Sequence, residues 1–294
     1  HLYSTAEIQK INWEYGCFLA NKIKEFSDLK NIDLIASHGH TIFHQPKNKI
    51  TLQIGCGQKI ANLTNVKTVT NFRIRDVLLG GQGAPLVPIG DLELFKEYRY
   101  CLNLGGFANV SIKKNNEILA FDICPVNIVL NYLSKRKNKK FDKNGNMGRN
   151  GQIIPEILNK LNAINFYRLS SPKSLSREWL ETNILPLLKS KFDTQDLLHT
   201  FYEHIAKMIS KELTKSNCLI TGGGAHNKYL IEKIKEYSKS KIIIPNKNIV
   251  DYKEAIIFGF LGLLRVENQI NCLKTVTGAS RDSCCGEVFT ANFT

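Results

Sequence analysis

The sequence predicts an α/β fold in two lobes, on three observations. Strand-like and helix-like segments are interleaved along the chain. Two of the strand-like segments, in separate halves, run straight into glycines: Tyr100-Cys101-Leu102-Asn103-Leu104 into Gly105-Gly106, and Cys218-Leu219-Ile220-Thr221 into Gly222-Gly223-Gly224. Finally, 294 residues bury a large core and split more readily into two lobes than they form one.

Ser4-Thr5-Ala6-Glu7 has the form of a capping box, and Ile8, Ile11, Tyr15, Phe18, Leu19 and Ile23 make one apolar face behind it, so the chain opens with a helix. Ile32-Asp33-Leu34-Ile35-Ala36 reads as a strand and Ser37-His38-Gly39-His40-Thr41-Ile42 as a polar loop. Residues 50–54 and 66–70 read as further strands, with a helix over 58–63 between them. Gly80-Gly81-Gln82-Gly83-Ala84-Pro85-Leu86-Val87-Pro88 reads as loop throughout, because glycines allow unusual backbone angles and prolines bar regular pairing. It is expected to wall an active site. Asp122 closes the apolar segment Ile118-Leu119-Ala120-Phe121, and a helix is expected over 127–133. Further helices are expected over 153–161, 176–184, 194–213 and 254–265. In the third, Leu197, Leu198, Phe201, Ile205, Met208, Ile209 and Leu213 keep helical spacing and read as core. Asn227 is placed to cap a helix carrying Leu230, Ile231, Ile234 and Tyr237.

Composition narrows the class. Hydrophobic content of 43% fits a globular protein, no apolar run is long enough to cross a bilayer, and no signal-peptide pattern opens the chain, so a cytoplasmic location is expected. The eight cysteines are scattered, with no CxxC pair, which argues against both a disulfide framework and structural zinc. The net charge of +14 is spread over many lysines. Its densest run, Lys135-Arg136-Lys137-Asn138-Lys139-Lys140, has no interleaved aromatic for base stacking, so no nucleic-acid partner is expected.

The chemistry centres on Asn103-Leu104-Gly105-Gly106-Phe107-Ala108-Asn109 followed by Asp122. Glycines let main-chain N–H groups approach a phosphate, and a lone carboxylate at a strand end beside it is a natural general base. The second glycine turn precedes a helix against whose N-terminus a nucleotide fits. Either cluster alone can equally well close a tight strand-to-helix connection; the pair favours a nucleotide site. His38, His40 and His44 have a spacing compatible with zinc, but no nearby cysteine or carboxylate completes a closed set. His38 and His40 are better read as hydrogen-bonding partners of a ligand, His44 as structural, and His199 and His204 as partly exposed or satisfied within the core.

Residues 37–42, Leu52-Gln53-Ile54-Gly55, Asn71-Phe72-Arg73-Ile74-Arg75-Asp76, 80–88, 103–109 and 222–227, with Val276-Thr277-Gly278-Ala279, together resemble the anhydro-N-acetylmuramic acid kinase family. The similarity runs from about His1 to the C-terminus, and 80–88 is its most specific part. The resemblance implies an actin-like (ribonuclease H-like), sugar-kinase-type fold with a cleft between two lobes: a sugar-side lobe over 1–97 plus 268–294 and a nucleotide-side lobe over 98–267. It implies ATP and Mg²⁺, phosphorylation of the sugar at O6, and opening of the anhydro bridge at C1 by water, giving N-acetylmuramic acid 6-phosphate. Asp122 matches the catalytic aspartate. Gly105, Gly106 and Asn109 match the phosphate-contacting turn, and Gly222, Gly223, Gly224 and Asn227 the turn near the adenosine. Ser37, His38, His40, Thr41, Arg73, Arg75 and Gln82 fall on the sugar side, with Arg73 or Arg75 as the partner of the lactyl carboxylate. A homodimer is also implied.

Family members begin with a strand and a Gly-Thr-Ser-x-Asp-Gly hairpin around the ATP phosphates, whereas this chain begins at the helix that follows. The sugar-side lobe is therefore expected to be N-terminally incomplete, and a chain without that hairpin to lose several kcal/mol, in order of magnitude, of transition-state stabilisation. Two other readings stay open here: a non-catalytic sugar-binding remnant, and a related sugar kinase with another substrate. Cys124 and Val126 stand around Pro125 where the family commonly has glycines, which is expected to narrow that turn, and Cys56 replaces an acidic or amide residue.

Overall fold

The computed structural model describes residues 4–114, 117–189 and 191–292. His1 and Thr294, the outer limits of the expected sugar-side lobe, lie outside them. The chain forms two compact units, His1–Glu93 with Glu254–Thr294, and Leu94–Lys253. The second crossing falls inside the helix Lys247–Val266.

The strands are β1 (Ile35–Ala36), β2 (His40–Gln45), β3 (Ile50–Ile54), β4 (Thr68–Thr70), β5 (Tyr100–Leu104), β6 (Phe107–Lys114), β7 (Glu117–Pro125), β8 (Asn217–Thr221), β9 (Lys241–Ile243) and β10 (Glu287–Phe289). In the first unit, β1 and β4 pair in parallel and β10 joins β4 antiparallel, while β2 and β3 form a separate antiparallel hairpin. The opening helix is Thr5–Phe26, with the Ser4/Glu7 capping box complete. Two expectations need correction. The strand expected over 32–36 is reduced to Ile35–Ala36, because Leu29–Asn31 takes a 3-10 turn capped by Asp28. The polar loop expected over 37–42 ends at Gly39. His40, Thr41 and Ile42 belong to β2, both of whose faces are at least partly exposed, so the strand carries no apolar face to announce it.

The second unit holds a five-stranded sheet in the order β7-β6-β5-β8-β9. β5, β6 and β7 form an antiparallel meander; β8 runs parallel to β5 and β9 parallel to β8. This 3-2-1-4-5 mixed sheet agrees with the α/β reading and with the ribonuclease H-like arrangement that the family resemblance implied. Because strand side chains alternate between faces, Leu102 and Leu104 point into a core shared with Leu130 and Leu133 of the helix Asn127–Lys135 and Phe201 and Ile205 of the helix Thr194–Glu212. Asn103, between them, faces the other way. No helix among the described residues is long and apolar enough to cross a membrane.

His204 lies wholly inside this core, as one of the two readings expected. Its Nδ1 pairs with Asn162 Oδ1 at 2.7 Å and its Nε2 with the Tyr167 hydroxyl at 3.0 Å. Burial, and then the Lys211 and Lys207 charges, hold its pKa down at about 3. The folded value lies below the unfolded one of about 6.5, so its contribution to stability is complete above about pH 6.5 and is lost as the pH falls toward 3. The expected slope for one proton is about 1.4 kcal/mol per pH unit below pH 6.5. Urea melts at pH 7 and pH 5 should show a fall in stability that His204→Gln reduces; an equal fall in both proteins would contradict this.

Candidate active site

Strand register builds a polar row across the sheet of the second unit. Thr221 of β8 lies opposite Asn103 of β5, Asn103 opposite Asn109 of β6, and Asn109 opposite Asp122 of β7. Laterally paired residues share a face, so all four side chains stand on the side away from the leucine core. A bulge between Ala108 and Asn109 brings Asp122 into the row: Ala108 pairs with Cys124 and Asn109 with Asp122, leaving Ile123 as the extra residue.

Asp122 is not at the end of its strand, since β7 continues to Pro125. It is instead made accessible at the sheet's outer edge, where residues 173–175 run alongside. Its N–H donates to the Lys173 carbonyl at 3.0 Å, and its Oδ2 accepts from the Leu175 N–H at 2.8 Å. Partial burial raises the carboxyl above the usual aspartate range, opposed by the Leu175 bond. A half-buried carboxylate that accepts one hydrogen bond keeps lone pairs for a further proton donor.

The glycine corners flank the row. The Gly106 carbonyl accepts from the Val126 N–H at 2.8 Å and the Ile128 N–H at 3.3 Å, and the Gly105 carbonyl from the Asn127 N–H at 3.3 Å. The first donors of the helix Asn127–Lys135 thus hold the corner in place. The glycines of the second corner divide the work. Gly222 has φ 83°, and a Cβ there would lie 2.4 Å from Asn103 Oδ1; at Gly224 it would lie 2.7 Å from Leu104 Cβ. At Gly106 and Gly223, by contrast, a Cβ would meet nothing closer than 3.8 Å. These two backbones are bare toward open space.

Asn227 caps the helix Lys228–Tyr237 through its Oδ1, which accepts from the Leu230 N–H at 3.1 Å. Its Nδ2 donates to the Tyr202 hydroxyl at 2.7 Å, and that hydroxyl donates to Asp142 Oδ2 at 3.1 Å. The Asp142 carboxylate also accepts the N–H groups of Met147 and Gly148 at 2.9 and 3.0 Å. This chain of bonds fixes the turn around Asn144 and Gly145 beside the second glycine corner. Between them lies a pocket of about 450 Å³, lined by Asn127, Phe141, Lys143, Tyr202, Gly223 and His226 among others. Sequence reasoning missed Asp142, Tyr202 and Phe141; the only local signal was the Asn144-Gly145 turn pair. Cys124 and Val126 do not crowd the corner, because both side chains are wholly buried in the leucine core.

In the first unit, His38 Nδ1 donates to the Gly39 carbonyl at 3.1 Å and its Nε2 accepts from Arg73 Nε at 2.9 Å. Arg73 Nη1 also donates to the Gly83 carbonyl. Burial first, and the Arg73 charge second, lower the His38 pKa, which keeps the ring neutral and able to accept. The same two causes act on His44, whose Nδ1 meets Thr51 Oγ1 at 3.1 Å and whose ring borders Gly83. Asp76 anchors the glycine loop: its carboxylate accepts the Gly83 N–H at 2.7 Å and the hydroxyl of Thr277 at 2.7 Å, while the Gln82 N–H donates to the Thr277 carbonyl at 2.9 Å. The structure therefore brings His38, Arg73 and the Gln82–Gly83 backbone together. Arg75 is not with them; it is exposed and donates to the Cys284 carbonyl. Ser37 Oγ accepts the Gly39 N–H, Thr41 Oγ1 accepts from Gln53 Nε2, and His40 is exposed beside Tyr15. No group of three or more His, Cys, Asp or Glu that could hold a metal ion occurs among the described residues.

The family model described as anhydro-N-acetylmuramic acid kinase matches residues 6–291. Curated relatives bearing that name agree with it. The one from Aliivibrio fischeri is 32% identical over 280 residues, which cover 89% of this chain and 76% of the relative. The one from Vibrio cholerae is 33% identical, covering 88% and 75%. The one from Clostridioides difficile is 33% identical, covering 96% and 82%.

Proposed function

The chain belongs to the anhydro-N-acetylmuramic acid kinase family, and from that membership we infer that it is a sugar kinase that phosphorylates anhydro-N-acetylmuramic acid at O6 while water opens the anhydro bridge. The observation that carries this reading is the polar row: one carboxylate with a raised pKa, aligned with two amides and flanked by two glycine corners. Asp122 takes a proton from the water whose oxygen bonds to C1. The C1–O6 bond breaks, and the released O6 accepts the phosphoryl group. Burial brings the base closer in pKa to the neutral solution in which it works.

The second unit fits a nucleotide. Gly106 and Gly223 leave backbone open to a phosphate, and the 450 Å³ pocket beside the second corner offers the exposed Phe141 ring to an adenine. ATP supplies the phosphoryl group. Mg²⁺ is typically carried by substrate phosphates and water with one or two carboxylates, and the side-chain oxygens of Asn109 and Asp122 are the groups in this row that would face its hydration shell. In the first unit, Arg73 is the better partner for the lactyl carboxylate. Its guanidinium is partly buried, has no carboxylate within ion-pair distance among the described residues, and is held by His38 and the Gly83 carbonyl. The eight free thiols suit a reducing compartment, in keeping with the cytoplasm.

The test is to supply the full-length protein with Mg²⁺, ATP and a panel of sugars, and to follow sugar phosphate by phosphorus NMR. Phosphate should appear on anhydro-N-acetylmuramic acid and on no unbridged hexose at a comparable rate. Equal turnover of an ordinary hexose would overturn the assignment.

A further inference from the structure

Two members of the polar row have no task in the fold. The Thr221 hydroxyl is buried, with the residue 1% exposed, and has no hydrogen-bond partner. Its lateral neighbour Asn103 is half-buried, and its side-chain amide makes no hydrogen bond among the described residues. An asparagine close to the end of a strand ordinarily binds turn backbone, and an orphan buried hydroxyl costs stability that an isosteric valine would not. The position of the amide is more informative still. Its Oδ1 lies 2.4 Å from where a Cβ on Gly222 would stand, and its Nδ2 3.5 Å from where one on Gly105 would stand. The carboxamide thus spans the gap between the two glycine corners, with its donor end toward the first.

We propose that Asn103 is a polyphosphate-binding residue, its Nδ2 donating to a nucleotide phosphate oxygen between the corners, and that Thr221 positions it. When the amide turns onto the phosphate, Oδ1 becomes available to the Thr221 hydroxyl, which then gains the acceptor it lacks. The glycine at 222 is required for this, because any side chain there would occupy the volume of the amide oxygen. The inference deepens the kinase reading and rests on it: the site is the nucleotide site, and the ligand group is a phosphate.

The test is calorimetric titration of the full-length protein with ADP, with adenosine, and with anhydro-N-acetylmuramic acid. Asn103→Ala should weaken ADP about tenfold or more, the loss expected for a hydrogen bond to a charged group, and leave adenosine and sugar affinities unchanged. Asn103→Asp, which places a like charge against the phosphate, should weaken ADP further. Thr221→Val should weaken ADP by a smaller factor, about threefold, and Thr221→Ser should restore it, since a positioning hydroxyl adds only a modest share of a hydrogen bond. Wild-type ADP affinity in both Asn103 variants, or a parallel loss of adenosine binding, would overturn the phosphate contact. Unchanged ADP affinity in Thr221→Val would overturn the positioning role. A wild-type protein that binds sugar but no ADP would instead overturn the kinase reading, and this proposal with it.

Discussion

Asp122→Asn should lower turnover about 10²- to 10⁴-fold, the usual weight of a positioned general base, with ADP and sugar affinities within about twofold of wild type, since a base acting on water contributes to the transition state alone. Asparagine keeps an oxygen for the Leu175 N–H, so the strand edge stays tied down. Stability gives a second readout. Burial raises the folded pKa of Asp122, so its stabilising contribution is present in the protonated form and is lost as the pH rises through the folded value. At pH 7 the ionised group is a burden that the neutral amide relieves, and the variant should melt no lower than wild type. The pH profile follows the same logic: kcat/KM should fall on the acid side at a pH above the ordinary aspartate value of about 3.9. Residual turnover within tenfold of wild type, or a flat profile down to pH 4, would contradict the base assignment.

Asp76→Ala should be among the most destabilising substitutions in the first unit. The residue is 1% exposed, and its carboxylate accepts the Gly83 N–H, the Thr277 hydroxyl and the Cys272 thiol. Truncation leaves at least two buried donors without acceptors, at about 1–3 kcal/mol each, a large fraction of a total stability of about 5–15 kcal/mol. The effect also reaches the candidate sugar site. Gly83 offers its carbonyl to Arg73, and Arg73 in turn donates to His38, so loosening the loop releases both. Sugar affinity should therefore fall with the urea midpoint, while ADP affinity holds. A loss of ADP affinity equal to that for sugar would show that Asp76 does not act locally.

What the sequence disclosed, and what it hid, follow from the range of the interactions. The capping box at Ser4, the Asn227 cap and both glycine corners are local, with donors and acceptors a few residues apart, and the sequence shows them directly. Asp122 was visible as a lone carboxylate. Its placement in a row with Asn103 and Thr221 was not, because that depends on pairing between strands more than a hundred residues apart and on a bulge with no glycine to mark it. Asp76 was legible only as part of a motif. Its partner Thr277 lies 201 residues on, and the Tyr202–Asp142 bond spans 60. The strand at His40 escaped notice for a different reason: with neither face buried, it lacks the alternation that betrays most strands.

The most direct measurement is the fate of oxygen-18 water. Full-length protein, Mg²⁺, ATP and anhydro-N-acetylmuramic acid in labelled water should give N-acetylmuramic acid 6-phosphate with the label on the C1 hydroxyl and none in the phosphate. Label in the phosphate with the anhydro bridge intact, or a phosphorylated product whose C1 oxygen is unlabelled before hydration of the open-chain aldehyde can exchange it, would contradict bond-making between water and C1.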